Sequence, residues 1–540
     1  MFKYKKILFF VIILFSLNKL FAQEINVQNI TNDKKDATNQ YWSLVQDLRG
    51  IMYFASPEGV YEYDGITWNL ILLPNSAEAF ALEKNDIGRI YVGGKSEIGF
   101  LAPKRNGEMV YVSLKSKIPE QYADFSNIVN IEKIGNKMAF LSDQLLFILD
   151  ETTMEFEVIQ AYSYFYSATS IKNELFLVDE TFGLLKLENK ELKPIKDGEH
   201  LISYIMMPFD QNKLLINSPN NGLLIFEPKS GNFTKLTSEF LKYDIKSGKK
   251  LSNGNFALGS VSNGCIIMSP EGKELYKINK ENGAIDNAVY SIYENSESQL
   301  WIAFSKGISL IYNEQAKSET FRVNIRACNR RADESLIFGG TFTNIKDSIQ
   351  STTQPEEQYY TFNYKDNSFR FSFASTQYYN VADIEYQYFL EGLDQEPTNW
   401  TNRPYSEYTN LSWGDYTLKI KAKNSKGEIS EVGTYSFSIK TPWYESWWFF
   451  GAQIAFILLL LLVAVILYRK GKSEKIAGRL ISIAIVIIFE YFEGFISPVF
   501  QFFAIGIAVT VFFTNIVIAT VISPIEEFTS RTLRKYIKRK

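Results

Sequence analysis

His200 is the only histidine in the chain, and Cys265 and Cys328 are its only cysteines. That is too few for a zinc centre, which takes three or four His, Cys or carboxylate ligands. The two cysteines fall in what reads as different domains, so their spacing implies no bridge between them. Carboxylates remain. Glycoside hydrolysis needs two of them facing each other across a cleft, and no such pair can be assigned from spacing. Asp47, Asn85 and Asp86 sit in polar turns of the kind that hold hairpins. No catalytic residue, cofactor or metal is therefore expected, and the chain reads as a non-enzyme. Two carboxylates have an unusual setting: Glu490 and Glu493 are the only charged residues between Leu480 and Ile522. Three apart, they share one helix face, and ionisable groups at membrane depth are candidates for function. The alternative is a helix that ends near Tyr491, with both carboxylates at the outer interface.

The other residues that stand out are aromatic. In "EYQYFLEGLDQEPTNW" (Glu385 to Trp400), alternation along a strand sends Tyr386 and Tyr388 to one face. Tyr388, Trp400, Tyr408 and Tyr416 read either as a rigid clamp that stiffens a domain or as ordinary β-core, one such tyrosine bonding a neighbouring loop through its hydroxyl. Aromatic residues make up 15% of the chain, which suits half-buried strands. A net charge of −3 gives no field for nucleic acid, and no direct nucleic-acid partner is expected.

The elements that carry these residues repeat. "DLRGIMYFASPEGVYEYDG" (Asp47 to Gly65) runs turn, aromatic strand, Gly, strand; "NSESQLWIAFSKGISLIY" (Asn295 to Tyr312) and "NDIGRIYVGGKSEIGFL" (from Asn85) follow the same order. The marker glycines fall at 59, 99, 183, 222, 264 and 307, steps of about forty residues with one double step. "MAFLSDQLLFILD" (Met138 to Asp150) fills the gap without the Gly. Seven repeats of this length predict a seven-bladed β-propeller over 23–317; the alternative is a sandwich with accidental spacing. The Gly predicts a tight hairpin or a close backbone approach. From 318 to 442 long alternating strands ("SFRFSFAS", "IEYQYFLEG", "DYTLKIKAKN", "TYSFSIK") predict an immunoglobulin-like β-sandwich.

Membrane signals bracket this mainly β body. Residues 1–22 have a basic start, an apolar run and Ala22, which reads as a signal peptide, or alternatively as a retained anchor. Trp447 to Leu467 lacks charge, with tryptophans before it and Arg469, Lys470, Lys472 and Lys475 after it. A first transmembrane helix is expected over 443–468, then a cytoplasmic basic loop over 469–479. The apolar stretch 480–522 is about 65 Å as one helix and must fold back. Two spans are expected, 480–497 and 499–522, followed by a basic cytoplasmic tail over 523–540.

The repeats resemble the two-component regulator propeller family. "YQYFLEGLD", Trp400 and "YTNLSWGDYTLKIKAKNSKG" resemble the triple-tyrosine domain that follows such propellers, with Tyr386 or Tyr388, Tyr408 and Tyr416 as the namesake tyrosines. The resemblance implies a bacterial periplasmic sensor at the inner membrane, N-terminal domains outside and C-terminus inside, often one that responds to polysaccharide fragments. Many members carry two propellers, and many continue into a histidine kinase or a DNA-binding domain. Here no histidine follows the predicted spans, so the resemblance implies a receptor subunit. It would bind a ligand or protein, pair with a second copy through the sandwich and pass its signal to a separate kinase or transcription regulator. The alternative readings are an envelope docking or assembly protein and a relic that has lost its output domain.

Overall fold

The computed structural model describes residues 26–35, 37–313, 321–344, 349–470, 475–488, 516 and 531. They form two compact units, Met1–Ile439 and Lys440–Lys540.

The first unit is mainly β. Seven four-stranded antiparallel sheets follow one another; the first is built from Ser43–Gln46, Met52–Ser56, Gly59–Tyr63 and Trp68–Ile71. Sheets 2 to 7 open with the strands Ala79–Lys84, Asn130–Ile134, Phe165–Ile171, Ile205–Pro208, Ile245–Lys250 and Val289–Glu294. Each of these opening strands adjoins that of the next sheet, and the seventh adjoins the first, so the sheets form a closed, propeller-like ring. The last sheet takes its outer strand from the other end of the chain: Asn26–Ile30 pairs antiparallel with Gly307–Tyr312, Ile30 opposite Ile308. The repeat spacing had counted the copies without showing this closure.

Each sheet is covered on both faces, which is why the second strands read as unbroken apolar runs. All five residues of Met52–Ser56 and of Leu300–Phe304 are buried. The cores lie between neighbours: Ala81, Tyr91 and Ile98 of sheet 2 pack on Ile131, Phe140 and Phe147 of sheet 3. Fully burying one such Phe contributes about 1.5–3 kcal/mol.

Five of the six marker glycines have both predicted causes; Gly99, inside the strand Glu97–Pro103, has only the close approach, a Cβ there lying 2.3 Å from the Val112 carbonyl oxygen. Gly59 opens the third strand of sheet 1 at φ 134°, and a Cβ there would lie 2.6 Å from the Ile71 carbonyl oxygen on the adjoining strand. Gly264 repeats this at φ 81°, 2.3 Å from the Ile278 oxygen. Sheet 3 does without it, its third strand Leu145–Asp150 opening on Leu145. Asp47 and Asn295 hold the first hairpins through side-chain oxygens that accept backbone N–H groups, from Arg49 and Ile51 at 2.8 and 2.9 Å and from Glu297 and Gln299 at 3.1 and 2.8 Å.

The sandwich stacks two sheets. One has the strand order 336–338, 323–330, 369–375, 405–408; the other has 360–362, 433–439, 414–423, 385–391. Their facing residues, Phe371, Phe373, Tyr386, Leu418, Tyr435 and Phe437 among them, make one core. The four strands quoted from the sequence are found within one residue of their expected ends.

In the second unit, Trp447–Arg469 is a 23-residue helix long and apolar enough to cross a membrane. At 1.5 Å per residue it spans about 34 Å. Residues 475–488 are also helical, so a helix takes up the last five residues of the loop expected over 469–479. Lys475 to Arg479 holds no Pro, and its one glycine, Gly478, weakens a helix without ending it. Ala464 of the first helix packs with Ala477 and Ile481 of the second. The signal peptide, residues 489–497 of the second expected span with Glu490 and Glu493, most of the span 499–522 and most of the tail lie outside the described residues.

Candidate functional site

The tyrosines are brought into one sandwich but not into one clamp. Tyr386 and Tyr388, on Glu385–Glu391, face inward together, their rings 5.1 and 5.9 Å from that of Phe373. Tyr408 lies on the opposite sheet, buried against Phe371, with its hydroxyl 3.5 Å from an Asp394 carboxylate oxygen. Tyr416 stacks on Phe437 at 5.4 Å and donates its hydroxyl to the Ser412 carbonyl at 2.9 Å, the loop bond expected of one member. Trp400 is apart from them. It lies outside that core under the Lys423 ammonium, 4.7 Å from the ring centre, where Lys423 also pairs with Glu385. Burial pushes the Tyr386, Tyr408 and Tyr416 hydroxyls up, Asp394 adding to the effect at Tyr408. They stay protonated; Tyr416 and Tyr408 have acceptors within reach, whereas the buried Tyr386 hydroxyl has no hydrogen-bond partner among the described residues.

The most organised polar cluster is one that the sequence reading missed, where the sandwich meets sheet 1. Arg49 follows Asp47 in the first hairpin; Glu62 lies near the end of the third strand and Asp64 just beyond it. From the sandwich, Arg326 on Val323–Arg330 reaches in. Its Nη2 is 2.9 Å from Glu62 Oε1 and its Nε 2.9 Å from Asp64 Oδ2. Arg49 Nη2 lies 2.7 Å from Asp47 Oδ2 and 3.2 Å from Glu62 Oε1. Arg49 Nη1 crosses the boundary the other way, donating to the Gly340 carbonyl at 2.7 Å and Thr341 Oγ1 at 2.6 Å. Tyr53 donates its hydroxyl to Glu62 at 3.0 Å. No side chain in the two arginine pairings is more than 6% exposed.

Burial alone would raise the Glu62 carboxyl, but Arg326 and Arg49 outweigh it and hold Glu62 below its ordinary value. The arginines are raised despite their burial, by Asp47 at Arg49 and by Glu62 and Asp64 at Arg326. A charge buried this deeply is tolerated only when paired and hydrogen-bonded. The sequence did hold a signal: Glu62 and Asp64 alternate with apolar residues in "VYEYDG", where one face of a covered strand carries charge.

Two further contacts tie the same boundary. Tyr378, which follows the strand Phe369–Ser375, is fully buried between Tyr63 and Trp301 and donates its hydroxyl to the Gly50 carbonyl at 2.5 Å. Tyr379 stacks on Tyr312 at 4.4 Å. On sheet 2, Gly339 and Thr341 donate backbone N–H groups to Asn106 and Gly107 at 2.8 and 3.1 Å. A cavity of about 250 Å³ lies beside the joint, lined by Arg49, Arg322, Asn324, Gly340, Glu431 and Thr434 among others. Nothing here is arranged as nucleophile and base; the cluster fixes one body to another.

The family model of the Y_Y_Y domain matches residues 377–441, the part of the sandwich that carries the tyrosines. Among curated proteins, Histidine kinase P4 of Formosa agariphila is 22% identical over 258 residues. Those residues are 45% of this chain and 18% of that protein, so the chain spans less than a fifth of the relative's length. The solved structures it is similar to include the extracellular domain of BT4673 from B. thetaiotaomicron, assigned to a hybrid two component system. The identity is 14%, covering 78% of this chain and 60% of that one at a TM-score of 0.47. The WD40 β propeller domain of Doa1 is 13% identical over 54% of this chain and 98% of its own, at 0.43. Streptogramin B lyase is 12% identical over 53% and 97%, at 0.44.

Proposed function

We propose that this chain is a membrane-anchored sensor subunit of two-component type, non-catalytic, with its β unit in the periplasm of a bacterium and its C-terminus in the cytoplasm. The ring acts as a seven-bladed propeller that binds a ligand or protein. The Y_Y_Y sandwich relays the event towards a three-helix membrane anchor, and an effector of the kinase or transcription-regulator kind receives it. The name of the curated relative, a histidine kinase, agrees with such a partner.

The observation that carries this reading is the buried ionic joint. A domain tethered only as a docking platform needs no such joint, whereas a relay needs the binding body and the relaying body to move as one. The tyrosine set serves the same end inside the sandwich: Tyr388, Tyr408 and Tyr416 stiffen it, and pairing of two sandwiches sets the resting state.

The test is affinity capture of the full chain from detergent-solubilised membranes, with mass spectrometry, in cells carrying either the native chain or Arg326→Met. Recovery of a histidine kinase or transcription regulator, with signalling lost in the variant although the protein is present in the membrane, supports the sensor. Recovery of envelope assembly proteins alone, unchanged in the variant, overturns it in favour of a docking protein.

A further inference from the structure

Two carboxylates that neither the sequence nor the joint accounts for lie on adjoining opening strands of the ring. Glu83 lies on the opening strand of sheet 2 and Glu132 on that of sheet 3, and these strands adjoin. Glu83 couples electrostatically to Lys249, on the opening strand of sheet 6, and to Tyr293 of sheet 7. Sheets 2 and 6 are not neighbours in the ring, so a side chain within reach of both points to the axis.

Glu132 also stitches the ring together. Its Oε2 accepts the backbone N–H of Ser170 at 3.0 Å, a bond from sheet 3 to sheet 4. Asn130, two residues earlier and so on the same face, holds its amide in hydrogen-bond reach of this carboxyl. Its buried Oδ1 has no donor among the described residues. A carboxylate only accepts and cannot serve that oxygen, whereas a carboxylic acid has one O–H to give.

The surroundings leave the pair short of neutralising charge. The strand Ala79–Lys84 brings Glu83 itself and Lys84, whose amine is turned to the Gln46 carbonyl at 2.6 Å. Lys133 alternates to the other face and pairs with Asp86. The strand Lys137–Leu141 brings only Lys137, at its far end opposite Ile134. Phe165–Ile171 brings no charged residue, and the hydroxyl of its Tyr166 is bonded to Glu180. Lys249, on the opening strand of sheet 6, is the cation with the largest effect on Glu83. Burial first and the Glu83 charge second push Glu132 up to about 7, against the bonds from Ser170 and Asn130. Burial raises Glu83 as well, despite Lys249, Lys84 and Lys133.

We propose that Glu83 and Glu132 hold one proton between them at the axis of the ring, and that its loss around neutral pH loosens the seams joining sheets 2, 3 and 4. This goes beyond the sensor reading and stands without it: it makes the ring itself responsive to the pH around it. A carboxyl raised in the folded state keeps a proton that the unfolded chain has already released. Stability therefore falls as pH rises from the ordinary carboxyl value of 4.5 to about 7. The folding equilibrium changes by up to about 300-fold across that window, the water of the axis reducing the figure.

The experiment is hydrogen exchange of peptides spanning 79–84, 130–134 and 165–171 in the full chain in detergent, corrected for intrinsic rates, together with the unfolding midpoint from about pH 5 to about pH 9. In the native chain, protection of these three segments drops with pH while that of the sandwich does not. In Glu132→Gln, whose amide N–H still serves Asn130, the dependence disappears; in Glu83→Gln it moves to lower pH. If Glu132→Gln does not fold, the displacement in Glu83→Gln decides. Parallel profiles for the native chain and the variants overturn the proposal. So does recovery of protection at high pH on adding calcium chloride that is reversed by EDTA, which would make the pair a cation site.

Discussion

Arg326 of the sandwich donates to two carboxylates of the ring, so replacing it by Met tests the joint with little change of volume. Removing one partner of a buried ion pair costs about 3–5 kcal/mol, because it strands the other charge. Here the stranded charges keep some donors. Asp64 Oδ1 still accepts the backbone N–H groups of Ile66 and Thr67 at 2.9 and 2.7 Å, and Oδ2 the Thr67 hydroxyl at 2.8 Å. Glu62 keeps Arg49 at 3.2 Å and the Tyr53 hydroxyl at 3.0 Å. The cluster also starts one negative charge in excess, two arginines against Asp47, Glu62 and Asp64, and Arg326→Met widens the excess. The expected cost is at the lower end, about 3 kcal/mol, measured as a shift in urea midpoint at constant slope. Adding Asp64→Asn relieves the stranded charge, and the double-mutant cycle should return a coupling of about 1–3 kcal/mol. The effect should barely change with salt, since screening acts weakly on buried pairs. Because Glu62 is held low, the stability it supplies is present above its ordinary value and is lost as pH falls through its folded value. The native chain should therefore lose this advantage in acid, while Arg326→Met, left with Arg49 and Tyr53 on Glu62, has less of it to lose. A cost under about 1 kcal/mol, or one that salt removes, would refute the account and mark the joint as a solvated surface contact.

Other outcomes follow from single contacts. Tyr416→Phe should cost about 1 kcal/mol, since it frees the Ser412 carbonyl, whereas Tyr435→Phe should be neutral or stabilising, the buried Tyr435 hydroxyl having no hydrogen-bond partner among the described residues; matched urea titrations compare them. Gly222→Ala places a Cβ 2.5 Å from the Thr237 oxygen at φ 82° and should cost more than about 1 kcal/mol, read from the thermal midpoint. Cys265 and Cys328 are buried and free, and burial pushes both thiols up, so neither should react with iodoacetamide near neutral pH until the chain unfolds.

Much of the fold was legible because repetition multiplies weak signals. One Gly before an apolar run says little, but six at steps of about forty residues, with Met138 to Asp150 in the gap, located the sheets. The sandwich strands were legible from alternation, and Tyr386 and Tyr388 were placed on one face by the same rule. What escaped was every relation between distant segments. Asn26–Ile30 carries no marker of its own, and its place beside Gly307–Tyr312 is fixed by the geometry of closure rather than by local pattern. Trp400 was grouped with the tyrosines because all are large and aromatic, but its position outside the core depends on the path of the loop that returns to Thr401. Arg49, Arg326 and Tyr378 come together from three stretches, and Glu83 and Glu132 from two sheets; single charges in a strand look alike whether they meet solvent or one another.

The way the last sheet is completed has a bearing on how the molecule is made. Ile30 finds its partner 278 residues later, at Ile308. Bringing chain ends that far apart together costs about 5 kcal/mol in closure entropy. Until then the strand Gly307–Tyr312 has an open edge, which is a hazard for aggregation. A chain emerging amino end first must keep its earliest strand unspent until nearly all the ring has been delivered. Completion is thus a late event of synthesis, and a protein fused just ahead of Asn26 would burden the very segment on which that final step waits.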